Sequence, residues 1–138
     1  MTSSIFHYAF TVKDIESTIV FYHTILGCSI GRSTASWVDF DFFGHQASAH
    51  LSDNIPPLDY CGSVDGVQVP IPHFGCIISR DEFTRIKQQL ETHNIPFIIP
   101  PQIRYKGKKG EQLTMFLLDP SNNPIEFKSF TNQHEIFS

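Results

Sequence analysis

The stretch Phe116-Leu117-Leu118-Asp119-Pro120-Ser121-Asn122-Asn123-Pro124-Ile125-Glu126 decides how this chain is read. An apolar run stops at a cluster of proline and short polar residues, and a second apolar run, Ile125–Phe130, starts at once. Asp, Asn and Ser favour turns by bonding their own backbone, and proline cannot serve a central ladder. The spacing therefore predicts two neighbouring strands, Gln112–Leu118 and Ile125–Phe130, joined by that turn. Working backwards, Ile95–Arg104 is a further strand. Phe83, Ile86 and Leu90 fall on one stripe of a helix. Ser79-Arg80-Asp81-Glu82 has the S-x-x-E form of a capping box, and His73–Ser79 precedes it as a strand. The order is βαβββ.

The N-terminal part repeats that plan. Ile5–Val12 is a β-branched and aromatic run of strand length. Asp14 stands where a helix N-cap belongs, since its carboxylate can accept an orphan N–H. Ile15, Ile19, Tyr22 and Leu26 follow at helical spacing, with Gly27 as the C′ residue. Cys28–Trp37, Val38–Phe43 and Ala47–Ser52 read as three strands, with Gly44-His45 available for a turn. Between the two units, proline-rich Asp53–Pro72 reads as a linker or lid. The expected organisation is one domain over residues 1–138: a first unit at about 4–52, the linker at 53–72, and a second unit at about 73–130. Extra length in the second unit falls in the Lys106–Lys109 hairpin. The fold class is α+β.

Composition sets limits on function. With 138 residues and 41% apolar content the chain can bury a core and is not disordered. No run reaches the ~18–20 apolar residues of a membrane span. Met1–Ser4 leads straight into a strand, so no signal peptide is expected. A net charge of −4 with only ten Lys plus Arg argues against nucleic acid as the partner. Cys28, Cys61 and Cys76 are odd in number and lack zinc-knuckle spacing, as expected of reduced thiols in the cytoplasm. Thirteen phenylalanines indicate a strand-rich core, and seven histidines raise the question of a metal.

Strand alternation sorts the histidines by face. Phe6, Tyr8, Phe10 and Val12 share the heavy face that should pack under the helix, leaving His7 on the lighter one. In the same way Phe74, Cys76 and Ile78 oppose His73, Ala49 and Leu51 oppose His50, and Ile125 and Phe127 oppose Glu126. The first and last strand of each unit thus send one candidate ligand to a common concave face, beside small residues Ala9, Ser48 and Gly75. Imidazole and carboxylate are the donors a first-row divalent metal takes, and two histidines with one carboxylate are used by non-haem iron oxygenases.

On these residues the chain resembles the vicinal-oxygen-chelate superfamily of glyoxalases, extradiol dioxygenases, fosfomycin-resistance transferases and bleomycin-binding proteins. The resemblance runs from Phe6 to about Phe130. It is carried by His7-Tyr8-Ala9-Phe10-Thr11-Val12-Lys13-Asp14, by Phe21-Tyr22 with Leu26-Gly27, and by Phe116–Glu126. It implies two tandem βαβββ units forming an open, barrel-like mixed sheet around a metal-binding cleft. It also implies His7, His73 and Glu126 as metal ligands, with His50 at the fourth position, where glyoxalase I has a carboxylate. Ala9 stands where glutathione-type fosfomycin transferases have threonine.

The resemblance further implies a metal-dependent enzyme, dioxygenase-like or glyoxalase-like, acting on adjacent oxygens of a small organic substrate. Fe²⁺ is the first expected ion, with Zn²⁺, Ni²⁺ or Mn²⁺ as alternatives. Glu126 is a ligand or a base, and His50 a fourth ligand or an acid–base group beside the bound oxygen. A homodimer is implied, with His7 and His50 of one chain meeting His73 and Glu126 of the other. The alternative is a non-catalytic, bleomycin-type small-molecule binder, which has no need of the ligand set.

Other residues have simpler expectations. Arg104–Gly110 reads as a solvated hairpin tip, or a lid over an anionic substrate. His23 and His45 read as exposed, and His93 suits a helix C-terminus. Trp37, Phe40 and Phe42 read as core or pocket wall, and Asp39 and Asp41 as ligand-bonding or surface residues on one strand face. No G-x-S-x-G, P-loop or G-x-G-x-x-G motif is present, so those routes to acyl transfer, nucleotide hydrolysis and dinucleotide binding lack support.

Overall fold

The computed structural model describes residues 4–138; residues 1–3, at the start of the segment leading into the first strand, lie outside it. The chain divides into two compact units. One runs to Pro57 and includes Asp119–Asn123, and the other comprises Leu58–Leu118 with Pro124–Ser138. Each repeats βαβββ.

In the first unit, β1 (His7–Val12) leads into α1 (Ile15–Ile19) and then a π-helical segment, Val20–Ile25. Asp14 has extended backbone, with φ −157°, and accepts the Ser17 N–H at 2.7 Å, as its position predicts. That bond holds its carboxyl below the ordinary value. The single α-helix expected up to Leu26 is wider at its end. The Leu26 N–H reaches back to the Phe21 carbonyl at 3.0 Å, and Phe21, Tyr22, Ile25 and Leu26 are all buried. Gly27 has φ 84° and ends the segment.

The strands β2 (Ser29–Ser33), β3 (Trp37–Phe42) and β4 (His45–Leu51) complete a sheet of order β1-β4-β3-β2. β1 is parallel to β4, and the other two pairs are antiparallel. The turn between β3 and β4 falls on Phe43 and Gly44, with φ 53° and 88°, so His45 opens β4. Two positive φ values in a row match the strand twist of a tight hairpin. The heavy face packs as expected for Phe10 and Val12, with Tyr22 lying 5.6 Å from Phe10 and 5.2 Å from Phe40 between ring centroids. Phe6, assigned to that face, is instead exposed and meets His45 edge-on.

The buried Tyr22 hydroxyl donates to Asp119 Oδ2 at 2.8 Å. Asp119 Oδ1 accepts the N–H groups of Ser121 and Asn123, each at 2.8 Å, and Asn123 Nδ2 donates to Oδ2 at 3.0 Å. Ser121 Oγ accepts the Lys13 N–H and Asn123 Nδ2 reaches the Thr11 carbonyl, both at 2.9 Å. The turn is thus built on one carboxylate, whose four donors offset its removal from water.

In the second unit a hairpin of β5 (Gly62–Val64) and β6 (Val67–Val69) comes first. It is followed by β7 (Phe74–Ile77), α2 (Arg80–Thr92), β8 (Phe97–Arg104), β9 (Gln112–Leu118) and β10 (Pro124–Phe130). The four-stranded sheet has order β7-β10-β9-β8, again with the first and last strands parallel. Ser79 Oγ accepts the Glu82 N–H at 3.2 Å, and Phe83, Ile86 and Leu90 form the buried stripe of α2. The segment 53–72, expected to be a linker or lid, is partly ordered into this unit. Val64 and Val69 pack with Ile98, Ile99 and Phe116, and Asp65 in the hairpin turn accepts from Arg104 Nε at 3.1 Å. Strands of three residues are too short for alternation to reveal.

At Gly75, paired with Glu126, a Cβ would overlap the Glu126 carbonyl, so only glycine admits this strand approach. Gly75→Ala should cost about 2 kcal/mol or more as β7 and β10 are forced apart. Chemical denaturation checks this, and an unchanged midpoint would contradict it.

Burial raises the Asp119 carboxyl above its ordinary 3.8, against the lowering effect of its donors. The folded state therefore binds this proton more tightly than the unfolded one. Asp119's contribution to stability is greatest below the ordinary carboxyl range and declines as pH rises through its raised value. The stability of the native chain minus that of Asp119→Asn should accordingly fall from acid towards neutral pH. A difference that rises with pH would reverse this assignment.

Candidate metal-binding site

Parallel pairing of β7 with β10 sets Glu126 opposite Gly75, and His73 lies just before β7. His73 Nε2 is 3.4 Å from Glu126 Oε1. Each of the two groups is fixed from its far side. His73 Nδ1 lies 2.8 Å from the Pro70 carbonyl. A carbonyl only accepts, so Nδ1 carries a hydrogen and Nε2 is the nitrogen turned to the carboxylate. Thr114 Oγ1 donates to Glu126 Oε2 at 2.6 Å, leaving Oε1 as the oxygen on the His73 side. The Phe116 ring meets the imidazole edge-on, with centroids 4.8 Å apart.

Glu126 is only 7% exposed, so its charge needs a counter-charge close by. Lys128 Nζ stands 3.9 Å from Oε1. A cavity of about 220 Å³ opens here, lined by His73, Gly75, Cys76, Ile77, Glu126 and Lys128. The donor chemistry fits a divalent metal: an imidazole nitrogen and a carboxylate oxygen face one another, each oriented by an outer partner. Among the described residues no third His, Cys, Asp or Glu is gathered with them. The pair presents two of the donor types that a divalent ion takes.

His7 is an exposed residue of β1, opposite Gln46 of β4, with Nδ1 2.8 Å from Gln46 Oε1. His50 is exposed and opposite Thr11, four residues further along β1 than His7. At roughly 3.3 Å per residue that is on the order of 13 Å of strand, and the structure does not bring these two imidazoles together. The resemblance sets His50 at the fourth ligand position, whereas the ladder gives Glu126 a different counterpart in the first unit. Gly75 faces Glu126 in the second unit, and the corresponding Ala9 faces Ser48, so Ser48 is the counterpart.

Asp39, expected at the surface or on a ligand, is 7% exposed and accepts from Ser48 Oγ at 2.7 Å. Asp41 accepts the Gly44 N–H in the hairpin turn. Phe40 and Phe42 are core, and Trp37 is half-buried with Arg32 over its ring. Arg104 is committed to Asp65 and Tyr105, which favours the hairpin account of that segment over a lid. His23 and His45 are exposed and His93 caps α2, as expected. Cys28, Cys61 and Cys76 form no disulfide, and burial pushes the Cys76 thiol up. Sequence reasoning misses Thr114, Lys128 and Gln46. Alternation places Thr114 with Phe116 on the Glu126 side of the sheet, a signal present in the sequence.

No helix of the described residues is long and apolar enough to cross a membrane. Comparison with known proteins finds a family model, "Glyoxalase/Bleomycin resistance protein/Dioxygenase superfamily", matching residues 4–127. Among curated relatives, the metallothiol transferase FosB of Lysinibacillus sphaericus is 28% identical, across 96% of this chain and 86% of that protein. A glyoxalase domain-containing protein, RDO1 of Mycosarcoma maydis, is 25% identical over 92% of this chain and 68% of its own length. A solved glyoxalase/bleomycin resistance protein/dioxygenase from Alicyclobacillus acidocaldarius superposes with a TM-score of 0.79 at 32% identity, covering 97% and 96% of the two chains. The fold is also that of the fosfomycin resistance protein FosX from Listeria monocytogenes, with a TM-score of 0.72 at 18% identity over 98% of each chain. With a family model over nearly its whole length, the same tandem βαβββ plan and these relatives, the chain belongs to the glyoxalase/bleomycin resistance/dioxygenase, or vicinal-oxygen-chelate, superfamily.

Proposed function

We propose that this protein is a metal-dependent enzyme that takes a small organic substrate by two neighbouring oxygens. The observation that carries this is the His73–Glu126 pair: Nε2 and Oε1 face each other at 3.4 Å, with the opposite atom of each group already engaged. A non-catalytic binder has no use for two such oriented donors. His73 and Glu126 would hold the ion together with His7 of a second copy of the chain. When bound, the ion supplies Lewis-acid stabilisation of negative charge on the substrate oxygens. Fe²⁺ is the first ion to test, followed by Zn²⁺, Ni²⁺ and Mn²⁺.

The residues around the pair have separate tasks. Thr114 keeps Glu126 Oε2 occupied, so that Oε1 alone binds an ion or takes a proton. Pro70 prevents His73 from rotating about its ring axis. Phe116 shields one side of the imidazole from water. His50 stands four residues along the ladder from His7, which argues against the two ligating one ion and leaves the acid–base role as the one to test. Thiol addition is the first reaction to assay, on the likeness to the metallothiol transferase; catechol cleavage and glyoxalase-type isomerisation come next.

A two-fold dimer suits the exposed apolar side chains flanking His7. Ile5 and Phe6, which precede it, are 67% and 66% exposed. Three thiols outside any disulfide suit the cytoplasm.

Purified protein should carry about one divalent ion per chain, and His73→Ala and the His7→Ala/Glu126→Ala pair should lose it. Elemental analysis reads this directly, and equal metal in native and double-variant protein would end the proposal. Native protein that takes up no ion on loading yet binds aromatic small molecules would instead favour the bleomycin-type binder. Sedimentation should show a dimer, whereas a monomer with full metal occupancy would rule out the shared site.

A further inference from the structure

His7 Nδ1 faces an oxygen, yet that oxygen belongs to a glutamine amide, which could present either end. The other end of the same amide decides the matter. Gln46 Nε2 lies 3.4 Å from Asp39 Oδ2. Turning the amide over would set its oxygen against a carboxylate oxygen, losing the donor and adding repulsion. Asp39 therefore dictates which end of Gln46 meets His7. A carbonyl oxygen 2.8 Å from Nδ1 in turn requires the ring hydrogen there, leaving Nε2 bare in the neutral imidazole.

Asp39 is itself held. It is 7% exposed, Ser48 Oγ donates to Oδ1 at 2.7 Å, and Arg32 stands 3.7 Å from Oδ2. The ladder explains the convergence. His7 is opposite Gln46 and Asp39 is opposite Ser48, so Gln46 and Asp39 are diagonal neighbours on one face of the sheet. The second unit reaches the same end by a different route, since His73 Nδ1 meets the Pro70 main-chain carbonyl at 2.8 Å. Two histidines on repeated elements thus share one tautomer, one set by backbone and the other by side chains.

We infer that Asp39 and Gln46 form an orienting relay that fixes His7 as the Nδ1–H tautomer with Nε2 bare to receive an ion. Both are positioning residues: neither touches the ion, and each acts through the next group. The consequence for metal binding rests on the assignment of His7 as a ligand, whereas the tautomer itself does not.

The test is ¹⁵N–¹H long-range NMR of imidazole-labelled full-length protein without metal, at alkaline pH where the rings are neutral, followed by titration with Zn²⁺. Native His7 should show the Nδ1–H pattern. Gln46→Ala should lose it and weaken Zn²⁺ binding by ~10–100-fold with the melting temperature little changed. The swap Asp39→Asn/Gln46→Glu keeps an acceptor towards His7 and a donor towards that acceptor, and should restore both. An Nε2–H tautomer in native protein, or one unchanged by Gln46→Ala, would overturn the relay. A tautomer that responds as stated while Zn²⁺ affinity does not would uphold the relay and refute His7 as a ligand.

Discussion

The parallel pairing of first and last strands within each unit is the constraint on which the rest depends. Sequence-distant strands become neighbours only because α1 or α2 and two further strands return the chain to its starting edge. In the second unit this sets the ladder partner of Gly75 beside His73, and the glycine lets the strands close without a side chain between them. The His73–Glu126 distance is therefore a property of the ladder. In the first unit the same pairing carries different chemistry. Ser48 and Asp39 stand where Glu126 and Phe116 stand in the second, so the carboxylate has moved to the neighbouring strand.

Much of this is legible in the residues. Asp14, Ser79 and Gly27 mark helix ends through local capping chemistry, and each is found doing so. Gln112–Leu118 is a strand with the bounds its composition indicates, because turn residues close both ends. That His73 and Glu126 share a face follows from alternation, since both oppose the faces that pack against the helix; their juxtaposition comes from the β7–β10 register. His50 shows the limit of that method. Alternation fixes the parity of a residue and says nothing of register, so a slip of two leaves every face correct and every partner wrong.

Other features are illegible for different reasons. The hairpin of β5 and β6 has strands too short for a period, and its cohesion comes from Ile98, Ile99 and Phe116, far along the chain. The π-helical end of the first helix keeps Phe21, Tyr22 and Ile25 on the sheet, a demand of tertiary packing that helical spacing alone does not express. Gln46 looks like an ordinary exposed strand residue until Asp39 and His7 are seen on either side of it.

The turn built on Asp119 makes the first unit discontinuous in sequence. Residues up to Pro57 contain its four strands and its helix, but the acceptor for the buried Tyr22 hydroxyl lies at Asp119. During synthesis the N-terminal sheet thus leaves the ribosome with a core phenol that must keep water until most of the second unit has emerged. The halves look like independent modules by architecture, yet the first is complete only when its own late turn, Asp119–Asn123, has been made.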